Sequence, residues 1–173
     1  MTRMTRSVPS PSPSGALTPS RELKADRTFQ PCPLVAGDEA FQNGIFEFNI
    51  TQLVRFLDAN PSRFPIEDTA VAEIPDYGGA GLDEDAVRSA PLNRPVLLAE
   101  IAPTLFNLFD GHHRVARARR EGVKTLPARR VVCPDQVPFL TTTRAYDIYR
   151  EYWNAKLVAL RPESPRRRAR RTL

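Results

Sequence analysis

The sequence predicts a mixed α+β fold, a compact domain in which a small mixed sheet is flanked by helices. Three observations predict it. Short segments of strand type alternate with segments of helical spacing, but without the repeated strand–helix–strand pattern of the larger doubly wound folds. The length of 173 residues suits one domain. Both ends of the chain are poor in apolar residues, which sets them apart from the middle.

The two ends are predicted to be tails. Residues 1–28 contain the run PSPSPS, and residues 161–173 contain RRRARR. Such segments cannot bury enough apolar surface to offset the entropy of ordering. We therefore expect disordered tails over 1–28 and 161–173, with the folded domain over 29–160.

The first predicted elements are a short strand over 45–48 and a helix that follows it. The helix begins at a cap, Asn49 or Thr51, and its apolar residues keep helical spacing to about Asp58. A further extended segment is predicted over 69–74.

Six later elements complete the domain, and one of them, a helix over 113–120, is described with the stretch that contains it. A short helix over 82–90 has acids in its first turn, where the helix dipole favours them. Residues 94–101 are almost continuously apolar, as in a strand buried on both faces, and 105–109 returns as its neighbour. A further strand is predicted over 125–132, and a closing helix over 141–160 carries apolar and aromatic residues on one side.

The stretch LFDGHHRVARARREG, residues 108–122, holds both histidines of the chain and four arginines. A strand ends there in Asp-Gly and opens onto a helix predicted over 113–120. The first N–H groups of a helix and its dipole favour a bound anion, and Gly111 permits close approach of a phosphate.

The side chains of this stretch suit phosphate chemistry. His112 and His113 can donate hydrogen bonds and become cationic beside a phosphate, and Arg114 adds a planar fork. Asp110 can hold a divalent metal or act as a base. The alternative is structural, because Asp-Gly is a common turn pair.

Three further arginines of the stretch, Arg117, Arg119 and Arg120, are interpreted as a solvated helix face that can help to attract nucleic acid. The aromatic residues of the closing helix are interpreted as core and rim rather than as a platform for stacking bases.

The charge distribution points to an anionic partner. The net charge is +5, but residues 29–160 hold 14 basic and 17 acidic side chains, so the positive excess lies in the ends. The arginine-rich C-terminal end favours DNA as a partner. Cys32 and Cys133 have no metal-site spacing, and neither a signal peptide nor a long apolar run is visible. We expect a cytoplasmic protein that does not contact a membrane.

The segments PVLLAEI and LFNLFDGHHRVARARREGVKTLPARRVV, with FEFNITQL and DEDAVRSA, resemble the ParB/sulfiredoxin superfamily over residues 45–132. In that superfamily a strand pair leads to a Gly-containing loop that ends in Arg, followed by a helix, a Gly and another strand. DGHHR is similar to the loop of its free-serine kinases and nucleotide-hydrolysing members. The resemblance implies that this loop binds nucleotide phosphates.

This sequence departs from the superfamily pattern at two points, and each departure excludes one activity known in the superfamily. His112 stands where sulfiredoxin has its catalytic cysteine, so peroxiredoxin repair is not expected. About 40 residues follow Val132, too few for the further domains of a partition protein. A single-module member remains, similar to plasmid fertility-inhibition proteins of the Osa/FiwA type, whose ATPase and DNase activities block DNA transfer through type IV secretion.

The first hypothesis is therefore an NTPase and nuclease of this superfamily that acts on DNA, with ATP or another NTP and Mg²⁺ as cofactors. Gly111, His113 and Arg114 would bind phosphates, and Asp110 would hold Mg²⁺. Asp110, His112 and Arg114 would be catalytic, with His112 as proton carrier or transition-state donor. A protein of the secretion or conjugation machinery is a further expected partner.

Two alternatives stay open. One is a kinase for a free amino acid or similar metabolite, in which Glu47 or Glu100 acts as the base. The other is a non-enzymatic inhibitor that binds DNA or a protein.

Overall fold

A computed structural model describes residues 22–75 and 81–160 and confirms the α+β fold. The described residues form six strands and four α-helices: β1 (Ala40–Asn43), β2 (Phe46–Asn49), α1 (Ile50–Ala59), β3 (Glu67–Ala70), α2 (Glu84–Ser89), β4 (Val96–Ala102), β5 (Leu105–Asp110), α3 (His112–Arg120), β6 (Thr125–Val131) and α4 (Thr143–Leu160). None of these helices is long and apolar enough to cross a lipid bilayer.

The main sheet is mixed and has the strand order β3-β6-β4-β5. Strand β4 runs antiparallel to β5 and parallel to β6, and β3 runs antiparallel to β6. All seven residues of β4 are buried, which its nearly continuous apolar sequence predicts for a central strand. Strands β1 and β2 form a separate antiparallel hairpin.

Two apolar clusters cover the two faces of the main sheet. One includes Leu53 of α1 and Tyr149 and Trp153 of α4, and the other includes Val115 of α3 and Leu126 of β6. Trp153 is fully buried and Tyr149 is 1% exposed, which confirms that the aromatic residues of α4 belong to the core. The sheet therefore separates α3 from α1 and α4.

Helix α1 begins where its capping residue predicts. The Asn49 side chain accepts a hydrogen bond from the Gln52 N–H at 3.0 Å, as an N-cap residue does. The buried positions Ile50, Leu53 and Leu57 show the predicted helical spacing.

The predicted boundary of the N-terminal tail at residue 28 is wrong. The Leu23 N–H donates to Oδ1 of Asn154 at 2.8 Å, and the Asp26 N–H donates to the Tyr146 hydroxyl at 2.8 Å. Phe29 stacks on Tyr146 with ring centroids 4.1 Å apart. Residues 22–28 thus pack against α4, because backbone hydrogen bonds and an aromatic stack anchor a segment whose composition alone favours disorder. Residues 1–21 and 161–173 lie outside the described part of the chain.

Candidate functional site

The predicted strand–glycine–helix junction is present. Strand β5 ends at Asp110, Gly111 is the N-cap of α3 with φ 103°, and α3 begins at His112. Because a glycine has no side chain to cap the helix, the N–H groups of the first turn receive no side-chain acceptor from the cap. These groups and the positive end of the helix dipole suit an anion.

Gly111 is required here for space as well as for its backbone angle. A Cβ at this position would lie 2.6 Å from Cγ1 of Val96 and 3.0 Å from Nε and Nη2 of Arg114. The Arg114 guanidinium therefore lies directly against the glycine. A side chain at Gly111 would both strain the turn and displace the arginine.

Arg114 is a buried cation with incomplete hydrogen bonding. The residue is 8% exposed, and its Nη2 donates to Oδ2 of Asp110 at 2.9 Å. Its Nε is buried and has no acceptor among the residues that the structure describes. A buried donor without an acceptor costs about 1–3 kcal/mol, so native structures rarely keep one where no ligand or water completes it.

A cavity of about 600 Å³ adjoins this junction, within the size range of pockets that hold small molecules. Residues 110–114 line one side, and the start of α1, the region of α2 and β1 line the rest. Phe41, Ile50 and Leu82 add apolar side chains to a lining that also contains the Asp110–Arg114 pair. This combination fits a ligand with an anionic part and an apolar part.

His112 has a defined orientation in the cavity. Its imidazole stacks on Phe41 with centroids 6.1 Å apart, and Phe41 in turn stacks on Phe109 at 4.4 Å. Burial lowers the pKa of His112 below its usual 6.5, although the Asp110 carboxylate opposes this shift. The imidazole is therefore neutral at pH 7 and can accept a proton.

The carboxylates that line the cavity suit a metal ion that binds together with a phosphate ligand. Oδ2 of Asp110 pairs with Arg114, whereas Oδ1 accepts no hydrogen bond from the described residues, and Glu39 lines the same cavity. No group of three His, Cys, Asp or Glu side chains is placed for a metal within 22–75 and 81–160. Mg²⁺ commonly takes one or two protein carboxylates and completes its shell with phosphate oxygens and water, so Asp110 suits that role.

The interpretation of Arg117, Arg119 and Arg120 as a solvated face is correct only in part, because Arg120 is exposed whereas Arg117 and Arg119 are half-buried, and all three bind other segments of the fold. Arg117 donates through Nη1 to the carbonyl of Ala90 at 2.9 Å, and Arg119 donates to the carbonyl of Ile74 at 2.7 Å. Arg120 makes two hydrogen bonds with the Glu84 carboxylate, at 2.6 and 2.9 Å. These arginines connect α3 to neighbouring segments. The sequence pattern did not predict this, because the acceptors lie far from α3 along the chain.

The two acids suggested as a kinase base are used elsewhere. The Glu100 carboxylate is buried and accepts hydrogen bonds from the N–H groups of Thr104 and Cys133. The Glu47 carboxylate accepts from Gln42 and from the Thr141 hydroxyl. Neither residue lines the cavity, so that assignment is corrected.

Three contributions to the site are missing from the sequence prediction. Glu39 and Phe41 reach the cavity through the β1–β2 hairpin, and the segment 82–91 closes its other side. The short segment 40–43 gives no strand signal of its own, and the only available hint is its proximity to the predicted helix cap at Asn49.

Searches of family models, curated proteins and solved structures found no match to this chain.

Proposed function

We propose that this protein binds and hydrolyses a nucleoside triphosphate with Mg²⁺ and acts on DNA. The observation that carries the proposal is the buried Nε of Arg114, for which the described residues provide no acceptor. This atom lies beside the uncapped first turn of α3 and a cavity of about 600 Å³. A phosphate chain would supply the missing acceptor, and the apolar part of the cavity would hold the base.

Each residue of the junction has a role in this proposal. Gly111 and His113 would bind phosphate oxygens together with Arg114, and Asp110 would hold Mg²⁺, which supplies positive charge to the phosphates. His112, neutral and stacked on Phe41, takes a proton from the water whose oxygen bonds to the terminal phosphorus, while the bond from that phosphorus to the nucleoside diphosphate breaks. Phosphoryl transfer depends mainly on positioning and on charge stabilisation, which these groups supply.

The DNA part of the proposal rests on charge. Six of the last 13 residues are arginines, with one acid among them. Such a segment attracts phosphate backbones without reading sequence, and the attraction weakens with salt. Together with the resemblance to fertility-inhibition proteins, this supports an ATPase and DNase that interferes with DNA transfer by contacting the secretion or conjugation machinery.

One assay tests both activities. The protein is incubated with ATP or CTP, Mg²⁺ and plasmid DNA, beside Arg114→Ala, and nucleotide products and nicked plasmid are measured. We expect hydrolysis and nicking by the unaltered chain and loss of both in Arg114→Ala, with an unchanged circular dichroism spectrum. Turnover at the level of a blank, or unchanged turnover in the variant, would reject the proposal; the first result would favour a non-enzymatic inhibitor.

A chain that ends at Leu160 tests the role of the arginine-rich end. It should hydrolyse nucleotide at nearly the same rate but bind DNA more weakly at low salt. Unchanged DNA binding would remove the arginines from the proposal.

A kinase for a small metabolite is the second candidate, and one observation favours it. A second cavity meets the first at Asp110 and Arg114, where a phosphoryl acceptor would stand beside the nucleotide. Asp110 replaces Glu47 and Glu100 as the candidate base. Nucleotide consumption that depends on an added amino acid and not on DNA would select this function.

A further inference from the structure

The second cavity lies on the α1 side of the Asp110–Arg114 pair and has a volume of about 270 Å³. Apolar side chains of Val54, Leu57 and Ile66 form part of its wall. The remainder includes arginines from three different segments: Arg94, Arg114 and Arg129.

Arg129 resembles Arg114 in its burial and in its hydrogen bonding. Its side chain is 12% exposed, and one guanidinium nitrogen pairs with the Asp58 carboxylate. Its Nε is buried and has no acceptor within the described residues. Two guanidinium groups with unsatisfied Nε atoms thus border a single small cavity.

The charge balance of this cavity is positive. Asp58 pairs with Arg129 and Asp110 pairs with Arg114, so each acid neutralises one arginine. Arg94 is exposed, and its side chain forms no ion pair with the described part of the chain. One positive charge and the unsatisfied Nε of Arg129 therefore remain for a ligand, because the Arg114 Nε is assigned to the nucleotide phosphates.

We propose that this cavity is a second binding site, distinct from the nucleotide site, for a small oxyanion with a short apolar body: a carboxylic acid or a phosphate monoester. Planar guanidinium groups match carboxylate and phosphate oxygens, and the aliphatic wall receives the body of the ligand. Its volume is about half that of the first cavity, which favours a ligand smaller than a nucleotide. The second cavity shares Asp110 and Arg114 with the first, but Arg94, Arg129 and its apolar wall belong to it alone, and the proposal does not require nucleotide hydrolysis.

Arginine Nε–Hε signals in a ¹H–¹⁵N spectrum of the full chain report on the proposed contact. The probes are benzoate, phenyl phosphate and inorganic phosphate, titrated at constant ionic strength against chloride. We expect saturable shifts of the Arg129 signal with benzoate or phenyl phosphate, and the probe of these two that binds more tightly identifies the preferred oxyanion. Inorganic phosphate should bind at least tenfold more weakly than the tighter probe. Shifts that do not saturate, or equal affinity for inorganic phosphate, would overturn the proposal.

Two variants and a matched control assign the binding to this cavity. Arg129→Gln and the exposed Arg94→Gln should each raise the Kd of the tighter probe at least fivefold. Arg130→Gln is the control, because Arg130 lies next in β6 but stacks over Phe106 on the other sheet face. Unchanged affinity in both Arg129→Gln and Arg94→Gln would place the probe in the nucleotide cavity and contradict the second site. Failure of ATP to bind, with these results intact, would reject only the nucleotide proposal.

Discussion

The two ends of α3 contain the same residue type in opposite situations. Arg114, in the first turn, is 8% exposed and keeps a buried Nε without an acceptor among the described residues. In the last turn, Arg117 and Arg120 are more exposed, yet both pair with carboxylates, and Arg119 donates to a backbone carbonyl. Arg114 is thus the least exposed of these arginines, yet it keeps a hydrogen-bond donor that no described residue uses.

This difference teaches how a run of basic residues should be divided. A cation that finds its acceptors within the fold stabilises the contacts between segments. A buried cation with an unsatisfied donor lowers the stability of the ligand-free protein, and a bound ligand that accepts the hydrogen bond offsets this loss. Three to six positions of sequence separate these roles in α3, so the function of each arginine depends on tertiary neighbours and not on the charge pattern.

The largest expected effect concerns the glycine that supports the first turn. Gly111→Ala combines an unfavourable positive φ with a Cβ 2.6 Å from Val96, so we expect a loss of about 2–4 kcal/mol in the free energy of unfolding, measured in urea. Gly122→Ala is the matched control, because Gly122 also has a positive φ, 70°, but open space around it. That variant should lose only about 1 kcal/mol. Equal losses would show that the contact with Arg114 and Val96 has no energetic weight.

The arginines of the last turn should matter for stability and not for nucleotide binding. Arg119→Ala removes a charge-assisted hydrogen bond to the carbonyl of Ile74, and we expect a loss of about 1–2 kcal/mol in thermal or urea unfolding. Arg120→Ala breaks a more exposed pair with Glu84, which solvent screens, and should cost less than Arg119→Ala. A larger effect in Arg120→Ala than in Arg119→Ala would contradict this order.

A smaller effect is expected from the pH dependence of His112. The pKa of His112 is lowered in the folded protein, so the unfolded chain takes up the proton at a higher pH than the folded chain does. Protonation therefore favours the unfolded chain, and the free energy of unfolding decreases as pH falls below about 6.5. Wild-type protein should therefore lose more stability between pH 7 and pH 5 than His112→Gln. An imidazole titration by NMR with a midpoint above 6.5 in the ligand-free protein would contradict the burial argument.

Local signals predicted most of the fold. The cap at Asn49 and the apolar run of β4 gave correct elements, because capping and burial on both faces leave strong marks in the sequence. The segment predicted as extended over 69–74 is instead strand β3 followed by a 3₁₀ turn over Val71–Glu73. Strand β1 was missed, because its four residues are only partly buried and it exists only by pairing with β2.

The candidate site was predictable where it is continuous in sequence. Residues 110–114 form a single turn, and their chemistry can be judged from their order. Glu39 and Phe41 join them through tertiary packing, and the cationic second cavity unites Arg94 and Arg129 across different segments. Contacts between distant segments cannot be predicted from a local sequence pattern. The backbone acceptors of Arg117 and Arg119 were not predicted for the same reason.

The most direct test of the division within α3 is calorimetric titration of Mg²⁺–ATP into wild type, Arg114→Gln and Arg117→Gln. We expect Arg114→Gln to weaken binding at least 100-fold, about 2.7 kcal/mol, because it removes the buried charged donor. Arg117→Gln should change the Kd less than threefold, since Arg117 already donates to Ala90 and Glu121. Equal loss of affinity in the two variants, or no loss in Arg114→Gln, would contradict the central claim that only the first turn of α3 binds phosphate.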